Sequence, residues 1–442
     1  MSKKPPTSAF GRLSRLGGLS SRVSTSYLGQ RIAGVFQDEE QRKDVLRKLH
    51  IENAQRVVET MGQLKGAAMK VGQSLAQVVE GMDLPPEVGA ALRKLNDSAE
   101  PVPFEVIRED IEKELGAPLD TLFSRVEPTP LGTASLAQAH AAWLPDGAPV
   151  VVKVLHRHIE RSVASDLGAL KAMFISGKLL RRDRAEIDMI FDEIRTRLEE
   201  ELDYLQEAAN IEEFRQVFGP DSGLRIPATH PKFCTRRVLT MDRLPGVPLD
   251  AFLESASAEA RQQAGLNLSH AFFVQTYEML ALHADPHAGN YLFEPDGTVG
   301  LLDFGCVKRF EATWIADYAR IAQHGIEGRR APTMALLRDI GGLCSDDPDA
   351  EQALWDFVEL LAQPFRVGRF TAGGDDDHLQ DQIREIGGRL IRYPEIRAPR
   401  DMIYLHRALG GTYAMLRRLK VRADWGEMAR PYHAAAVARV LG

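Results

Sequence analysis

The sequence predicts an α+β fold in two lobes, a strand-containing lobe followed by a mostly helical one. Three stretches predict it. Pro149-Val150-Val151-Val152-Lys153-Val154-Leu155 is β-branched and apolar, as a buried strand requires, with one cation set into it. Ile187 to Phe214 repeats apolar residues at helical spacing along an acid-dense segment. His283-Ala284-Asp285-Pro286-His287-Ala288-Gly289-Asn290, with Leu301-Leu302-Asp303-Phe304-Gly305 soon after, puts two acids and an amide on loops that follow apolar runs.

At 442 residues, and roughly 150 residues per domain, the chain divides into two or three units. Apolar residues make up 44% and charged residues 26%, ordinary values for a folded soluble chain. A net charge of −7 argues against nucleic acid as a partner, since phosphate backbones are bound by basic faces. Cys234, Cys306 and Cys344 are far apart and lack metal-ligand spacing, which fits a reduced, intracellular protein. No run approaches the roughly 18 apolar residues of a membrane span, and the N-terminus has no apolar signal core. The expectation is a chain neither exported nor threaded through a bilayer.

Residues 1–36 form a flexible basic arm: Lys3, Lys4, Arg12, Arg15, Arg22 and Arg31 precede the first acid, Asp38. The bland reading is a disordered tail. The sharper one is attraction to anionic lipid headgroups, at ~1 kcal/mol per basic residue near the surface. Residues 37–100 read as a helical extension, with Leu64, Ala68, Val71, Leu75 and Val78 on one stripe. It carries Lys70-Val71-Gly72-Gln73. Lys70 and Gln73 are neighbours on the helix surface, and Gly72 costs ~1 kcal/mol relative to Ala, which suggests close approach by a backbone or ligand. A lysine beside a glutamine is otherwise an ordinary solvated face.

Residues 101–243 form the strand-containing lobe. A helix from Phe104 to Leu115 closes at Gly116, Pro128 to Ala142 is a turn-rich stretch leading into a strand, and Pro149–Leu155 is a second strand. Ile187 to Phe214 is one long helix, in which Asp203 and Glu207 form a like-charge pair four residues apart. Arg237 to Asp242 is a strand broken by Leu244-Pro245-Gly246. Residues 244–442 form the second lobe, with a helix over 258–282 running into the acid-and-amide loop and further helices from 311 onward. The acidic loop Gly373 to Asp377 needs no metal to explain it.

Each piece alone is common; their order is informative. A strand lysine (Lys153), a helix glutamate (Glu207), a strand followed by a break around Asp242 and Leu244, an Asp-x₄-Asn loop (Asp285, Asn290) and an Asp-Phe-Gly (Asp303) follow the order of a protein-kinase-like fold. Lys153, oriented by Glu207, suits the α/β-phosphates of ATP, and Asn290 with Asp303 suits Mg²⁺. Asp285 is then poised to accept a proton or orient a nucleophile.

Lys70-Val71-Gly72-Gln73, Glu201-Leu202-Asp203, Pro130 to His140 and the His-Ala-Asp-Pro-His-x-Gly-Asn stretch together resemble the UbiB/AarF/ADCK family of atypical kinases, over nearly the whole chain. The resemblance implies a Mg²⁺-dependent ATPase or kinase-like protein supporting biosynthesis of ubiquinone or a related isoprenoid quinone, peripheral on the inner, cytoplasmic face of a membrane. It implies a nucleotide loop at Gly132, Thr133, Ala134 and Ser135, with Asp242 and Leu244 also at the nucleotide. It further implies that the N-terminal extension covers the site, with Lys70 near Glu201 and Asp203. Such a cover obstructs protein substrates, so a lipid or quinone-precursor small molecule is the expected partner, alongside quinone-biosynthesis enzymes. The chain departs from the family where Gly132-Thr133-Ala134 replaces an alanine run, and where Ala288 replaces a proline.

Rival readings are fewer in what they explain. A zinc hydrolase using His283, Asp285 and His287 leaves Lys153, Glu207 and Asp303 without a role. A catalytically weak kinase-fold scaffold for a quinone-biosynthesis complex does not need every nucleotide and metal position filled. A sugar or antibiotic phosphotransferase does not call for the Lys-x-Gly-Gln segment, and a transporter-type ATPase is set aside because no Gly-x₄-Gly-Lys-Ser/Thr loop occurs.

Overall fold

The computed structural model describes residues 101–176, 184–390 and 392–441; the basic arm, the N-terminal extension and the Lys70, Gly72 and Gln73 motif lie outside them. Helix α1 (Phe104–Leu115) stops where the sequence predicts. Gly116 has φ 72°, and in that left-handed conformation its N–H reaches the Glu112 carbonyl. The single turn α2 (Leu119–Leu122) leads into strands β1 (Arg125–Thr133), β2 (Ala137–Trp143) and β3 (Pro149–Leu155), paired antiparallel in succession.

Pro128 to Thr133, expected as turn-rich, is instead strand. Register shifts flank Pro130, and β1 lies at the sheet edge, where a proline without an N–H is tolerated. Helices α3 (Ile159–Ser176), α4 (Arg184–Glu201) and α5 (Tyr204–Val217) follow. The single helix expected over Ile187–Phe214 is therefore two. Asp203 breaks it, because its Oδ1 accepts the Leu205 and Gln206 amides at 3.1 and 3.3 Å and caps α5.

After the short β4 (Leu224–Arg225), β5 (Val238–Asp242) pairs with β3 and completes a sheet of order β1-β2-β3-β5. Val150, Val152 and Val154 pack with Ile107, Ile111 and Val238 in one core. Since strand side chains alternate, Lys153 lies on the opposite face of the sheet.

Chain contacts define two compact units. One runs to Ala208 and includes Thr229–Arg243; the other comprises Ala209–Ala228 and everything from Leu244. In the second unit, α6 (Leu249–Ser255) precedes α7 (Ala258–Phe273), whose N-cap Ser257 accepts the Ala260 amide. The helix expected through residue 282 ends early. A π turn at Val274–Glu278 and a positive φ at Leu280 lead into β6 (Ala281–His283), with the buried Gln275 side chain accepting the His283 amide at 3.0 Å.

Strands β7 (Tyr291–Phe293), β8 (Val299–Leu301) and β9 (Val307–Arg309) follow. β6 pairs with β9, while β4, β8 and β7 form a separate small sheet. The remainder is mostly helical, as expected: α8 (Ala312–Ile326), α9 (Arg330–Asp339), α10 (Pro348–Arg366), α11 (Leu379–Leu390), α12 (Arg400–Leu419) and α13 (Trp425–Leu441), with β10 (Arg369–Thr371) paired to β11 (Arg422–Asp424). Phe272, Leu282, Ile315, Leu405 and Ala429 share its main core. Among the described residues no helix is long and apolar enough to cross a membrane.

The acidic loop at 373–377 is organised by one of its own acids. The Asp377 side chain is fully buried, and its carboxylate accepts the Gly373 amide at 2.6 Å, the Leu379 amide at 3.2 Å and the Tyr413 hydroxyl at 2.6 Å, with Arg417 Nε 3.0 Å away. Burial alone would raise its pKa, but the Tyr413 hydroxyl, the two amides and Arg417 outweigh it and hold the carboxyl below its ordinary value. Asp377→Ala is expected to cost about 3 kcal/mol at neutral pH, measured by urea unfolding. A depressed folded pKa contributes stability above the unfolded value and loses it as pH falls through the folded one. The difference between native and variant should therefore narrow below about pH 4.

Candidate active site

In the first unit, the strand places a cation and a helix supplies its anion. Lys153, paired in register between Ala139 of β2 and Leu239 of β5, holds its Nζ 2.7 Å from Glu207 Oε1. The glutamate side chain is 4% exposed and the lysine 16%. Glu207 lies in the first turn of α5, where the helix dipole favours a carboxylate. Sequence and structure differ on its neighbour. Asp203 does not stack on Glu207 in a continuous helix; it caps α5 and pairs through Oδ2 with Arg236 at 3.0 Å. Glu201 is the last residue of α4.

Gly132 and Thr133 end β1, and Ala134 and Ser135 make the turn into β2, closed by the Ala134 amide on the Ala137 carbonyl at 2.8 Å. A Cβ at Gly132 would meet nothing within 4 Å, and its φ is not positive, so an alanine would fit there as well. Ser135 is 2% exposed, and its hydroxyl has no hydrogen-bond partner among the described residues. Asp242 ends β5 with its Oδ1 2.9 Å from His230 Nε2.

In the second unit, Asp285 follows β6, Asn290 ends a one-turn helix (Ala288–Asn290) before β7, and Asp303 follows β8. Backbone bonds tie the two loops together. The Leu302 amide donates to the Asn290 carbonyl and the Ala284 amide to the Cys306 carbonyl, each at 2.9 Å. Asn290 Nδ2 donates to the Asp285 carbonyl at 2.9 Å, and Asp303 Oδ1 accepts the Gly305 amide at 3.1 Å. Phe304 is fully buried, edge-on to Phe214 at 5.2 Å, and its carbonyl accepts Asn210 Nδ2 at 2.9 Å. Beyond it Arg309 holds Glu213 at 2.6 Å, and that bond keeps the Glu213 carboxyl below its ordinary value. Leu244 packs on β8, its Cδ1 3.1 Å from where a Cβ on Gly300 would stand.

Sequence reasoning missed the support behind these loops. Arg407 on α12 donates from Nη2 to Asp285 Oδ1 at 2.6 Å, a contact between residues 122 apart. One turn further along α12, a Cβ on Gly411 would lie 2.4 Å from Pro286 Cγ and 3.0 Å from its carbonyl oxygen, so the helix backbone abuts the loop. The Gly410-Gly411 pair inside a helix was the available signal, because each glycine costs ~1 kcal/mol there relative to Ala.

The donors suit a hard cation. With Asn290 Nδ2 spent on the Asp285 carbonyl, its amide oxygen is left to coordinate, and that oxygen and the Asp303 carboxylate are each hard oxygen ligands of the kind Mg²⁺ takes. The zinc reading fares worse at His283. Its ring is 2% exposed and packs against Tyr291 and Phe304, which leaves little of the imidazole open to an ion. Tyr291, buried first of all and then facing the Asp285 charge, has its phenol pushed above the ordinary range.

Comparison with known proteins identifies the family and the fold. The family model described as ABC1 atypical kinase-like domain matches residues 94–334. Atypical kinase COQ8, mitochondrial, of Saccharomyces cerevisiae is 28% identical over 95% of this chain and 83% of its own length. Atypical kinase COQ8B, mitochondrial, of Rattus norvegicus is 27% identical over 94% and 79%. A probable protein kinase UbiB of Marinobacter nauticus is 32% identical over 65% of this chain and 56% of its own. A Mycobacterium tuberculosis protein solved with erythromycin shares the fold, with TM-score 0.64 at 24% identity over 90% of this chain and 99% of that one. The fold is the α+β protein-kinase-like fold that the sequence predicts.

The α12 contact can be tested by its two glycines. Gly411→Ala is expected to lose about 1–3 kcal/mol by overpacking against Pro286 and to speed amide exchange over residues 285–290. A Cβ on Gly410 meets nothing within 4 Å, so Gly410→Ala should be neutral or stabilising by up to about 1 kcal/mol.

Proposed function

The chain belongs to the ABC1 atypical kinase-like family, and from that premise we propose that it binds ATP with Mg²⁺ and moves the γ-phosphoryl group to a lipid, a quinone-precursor small molecule or water. The activity supports biosynthesis of ubiquinone or a related isoprenoid quinone. The observation that carries this reading is the Lys153–Glu207 ion pair, 2.7 Å long and largely buried. It is the arrangement by which kinase-like proteins fix a lysine for the α/β-phosphates. The Ser135 hydroxyl supports it, since it is buried with no hydrogen-bond partner among the described residues and so has its bonding capacity open to a phosphate oxygen.

In this reading Gly132, Thr133, Ala134 and Ser135 follow the phosphates, and Asp242 and Leu244 flank the base. Asn290 and Asp303 hold Mg²⁺, which supplies neutralisation of the phosphate oxygens. Asp285, kept in place by Arg407, orients the attacking hydroxyl and takes its proton. Lys70, Gly72 and Gln73 cover the nucleotide, with Lys70 paired to Glu201 or Asp203. The basic arm meets an anionic membrane surface, where quinone precursors and their enzymes reside.

ATP turnover with Mg²⁺ and anionic liposomes tests the proposal. The native chain should turn over and lose activity to a chelator, and Asp303→Asn should be slower by about 10²-fold or more, the scale on which losing one preorganised charged group acts. Quinone content in cells lacking the gene should recover with the native protein and not with Asp303→Asn. Absence of turnover in the native chain, with full rescue by Asp303→Asn, would make the protein a scaffold.

A further inference from the structure

The second unit holds a partly open pocket of about 140 Å³, lined by the end of α7, the π turn, α8, α9, α10, α12 and α13. Four of its lining residues carry hydrogen-bonding groups, Tyr277, Tyr318, His406 and His433; all the others are apolar. The four are arranged as two pairs. His433 Nε2 lies 3.1 Å from the Tyr277 hydroxyl, and His406 Nε2 lies 3.1 Å from the Tyr318 hydroxyl.

Burial pushes both imidazoles down to about 4 and both phenols above their ordinary range, so the lining carries no charge at neutral pH. An ionised guest would enter without a counter-charge and pay its desolvation uncompensated. Each Tyr–His pair uses one hydrogen in its mutual bond. When the phenol donates, its oxygen still accepts; when the imidazole donates, the phenol still has its own O–H to give. Either pair can therefore serve one further alcohol or carbonyl oxygen by exchanging tautomers.

Size sets the remaining limit. Cavities of about 150 Å³ lined by aliphatic and aromatic side chains stay dry and take up benzene. A purely apolar core of this kind would gain more from filling the space, since dispersion contacts are forfeited around a void. We propose that this cavity binds a neutral molecule about one ring in size, carrying a single alcohol or carbonyl oxygen that hydrogen-bonds to a Tyr–His pair. The site lies wholly within the second unit and stands independently of the reading of Lys153 and Asp303.

The probe is 4-fluorobenzyl alcohol, followed on the full-length protein by ¹⁹F NMR. Saturable binding is expected, with contacts from the ligand to the labelled Met402 methyl in the cavity wall. Ala362→Leu, which fills the space from α10, should weaken binding at least tenfold. The combined Tyr277→Phe and Tyr318→Phe variant should reduce affinity for the alcohol to that for 4-fluorotoluene, and the benzylammonium analogue should not bind. No saturable binding, or binding without Met402 contacts, overturns the proposal. So does equal affinity in the native chain and Ala362→Leu. If Ala362→Leu fails to fold, the Met402 contacts on the native protein and the alcohol-to-toluene ratio decide by themselves.

Discussion

Burial of the Phe304 ring fixes the loops that carry Asp285, Asn290 and Asp303. The ring is fully buried against Phe214 and beside His283, and Asn210 holds its carbonyl. Removing a ring so placed costs roughly 3–5 kcal/mol, so the residues on either side have little freedom. Asp303 is held at the edge of the core while its neighbour is drawn into it. The backbone bonds from Leu302 to Asn290 and from Ala284 to Cys306 then pass that order to the neighbouring loop. Hydrophobic burial supplies the energy, and the hydrogen bonds supply the direction.

Helix α12 backs the same loop while walling the cavity. Arg407 and Gly411 meet Asp285 and Pro286, whereas Met402, His406 and Leu409 line the cavity with α8 and α10. Helical geometry permits this because residues four apart share a face and adjacent residues do not. The glycine gives close approach at the expense of helix propensity. Helix propensity alone would place alanine there; the contact with Pro286 explains the glycine.

How much of this was legible in the sequence varies with the range of the interaction. The strand of Lys153 and the helix stop at Gly116 are set by neighbouring residues and were readable from alternation and a left-handed glycine. Lys153 and Glu207, though 54 apart, were readable because each sits on an element with a clear period. The break at Asp203 was readable in principle, since Asp203 and Gln206 have the spacing of a capping box, but the surrounding run of acids looks equally like a solvated helix face. Pro128 and Pro130 signalled a turn because sequence does not reveal which strand will be an edge. Arg407 was invisible. Its partner lies 122 residues away, and an arginine on an amphipathic helix carries no local mark of what it will reach.

Stability does not account for the Lys153–Glu207 pair. Two charges taken out of water at the exposures seen here lose hydration that their mutual attraction recovers only in part, and apolar residues of the same size often serve a core as well or better. The sheet around them shows that alternative in use, with Val150, Val152 and Val154 packed on its other face. What the pair provides that valines cannot is a cation held at a fixed point on a rigid strand, oriented by a carboxylate on a capped helix. A flexible surface lysine would have to be ordered by each polyanionic ligand that it met. Here the ordering cost is met in folding, which is the advantage of preorganisation in binding a phosphate chain and the physical basis of the role proposed for Lys153.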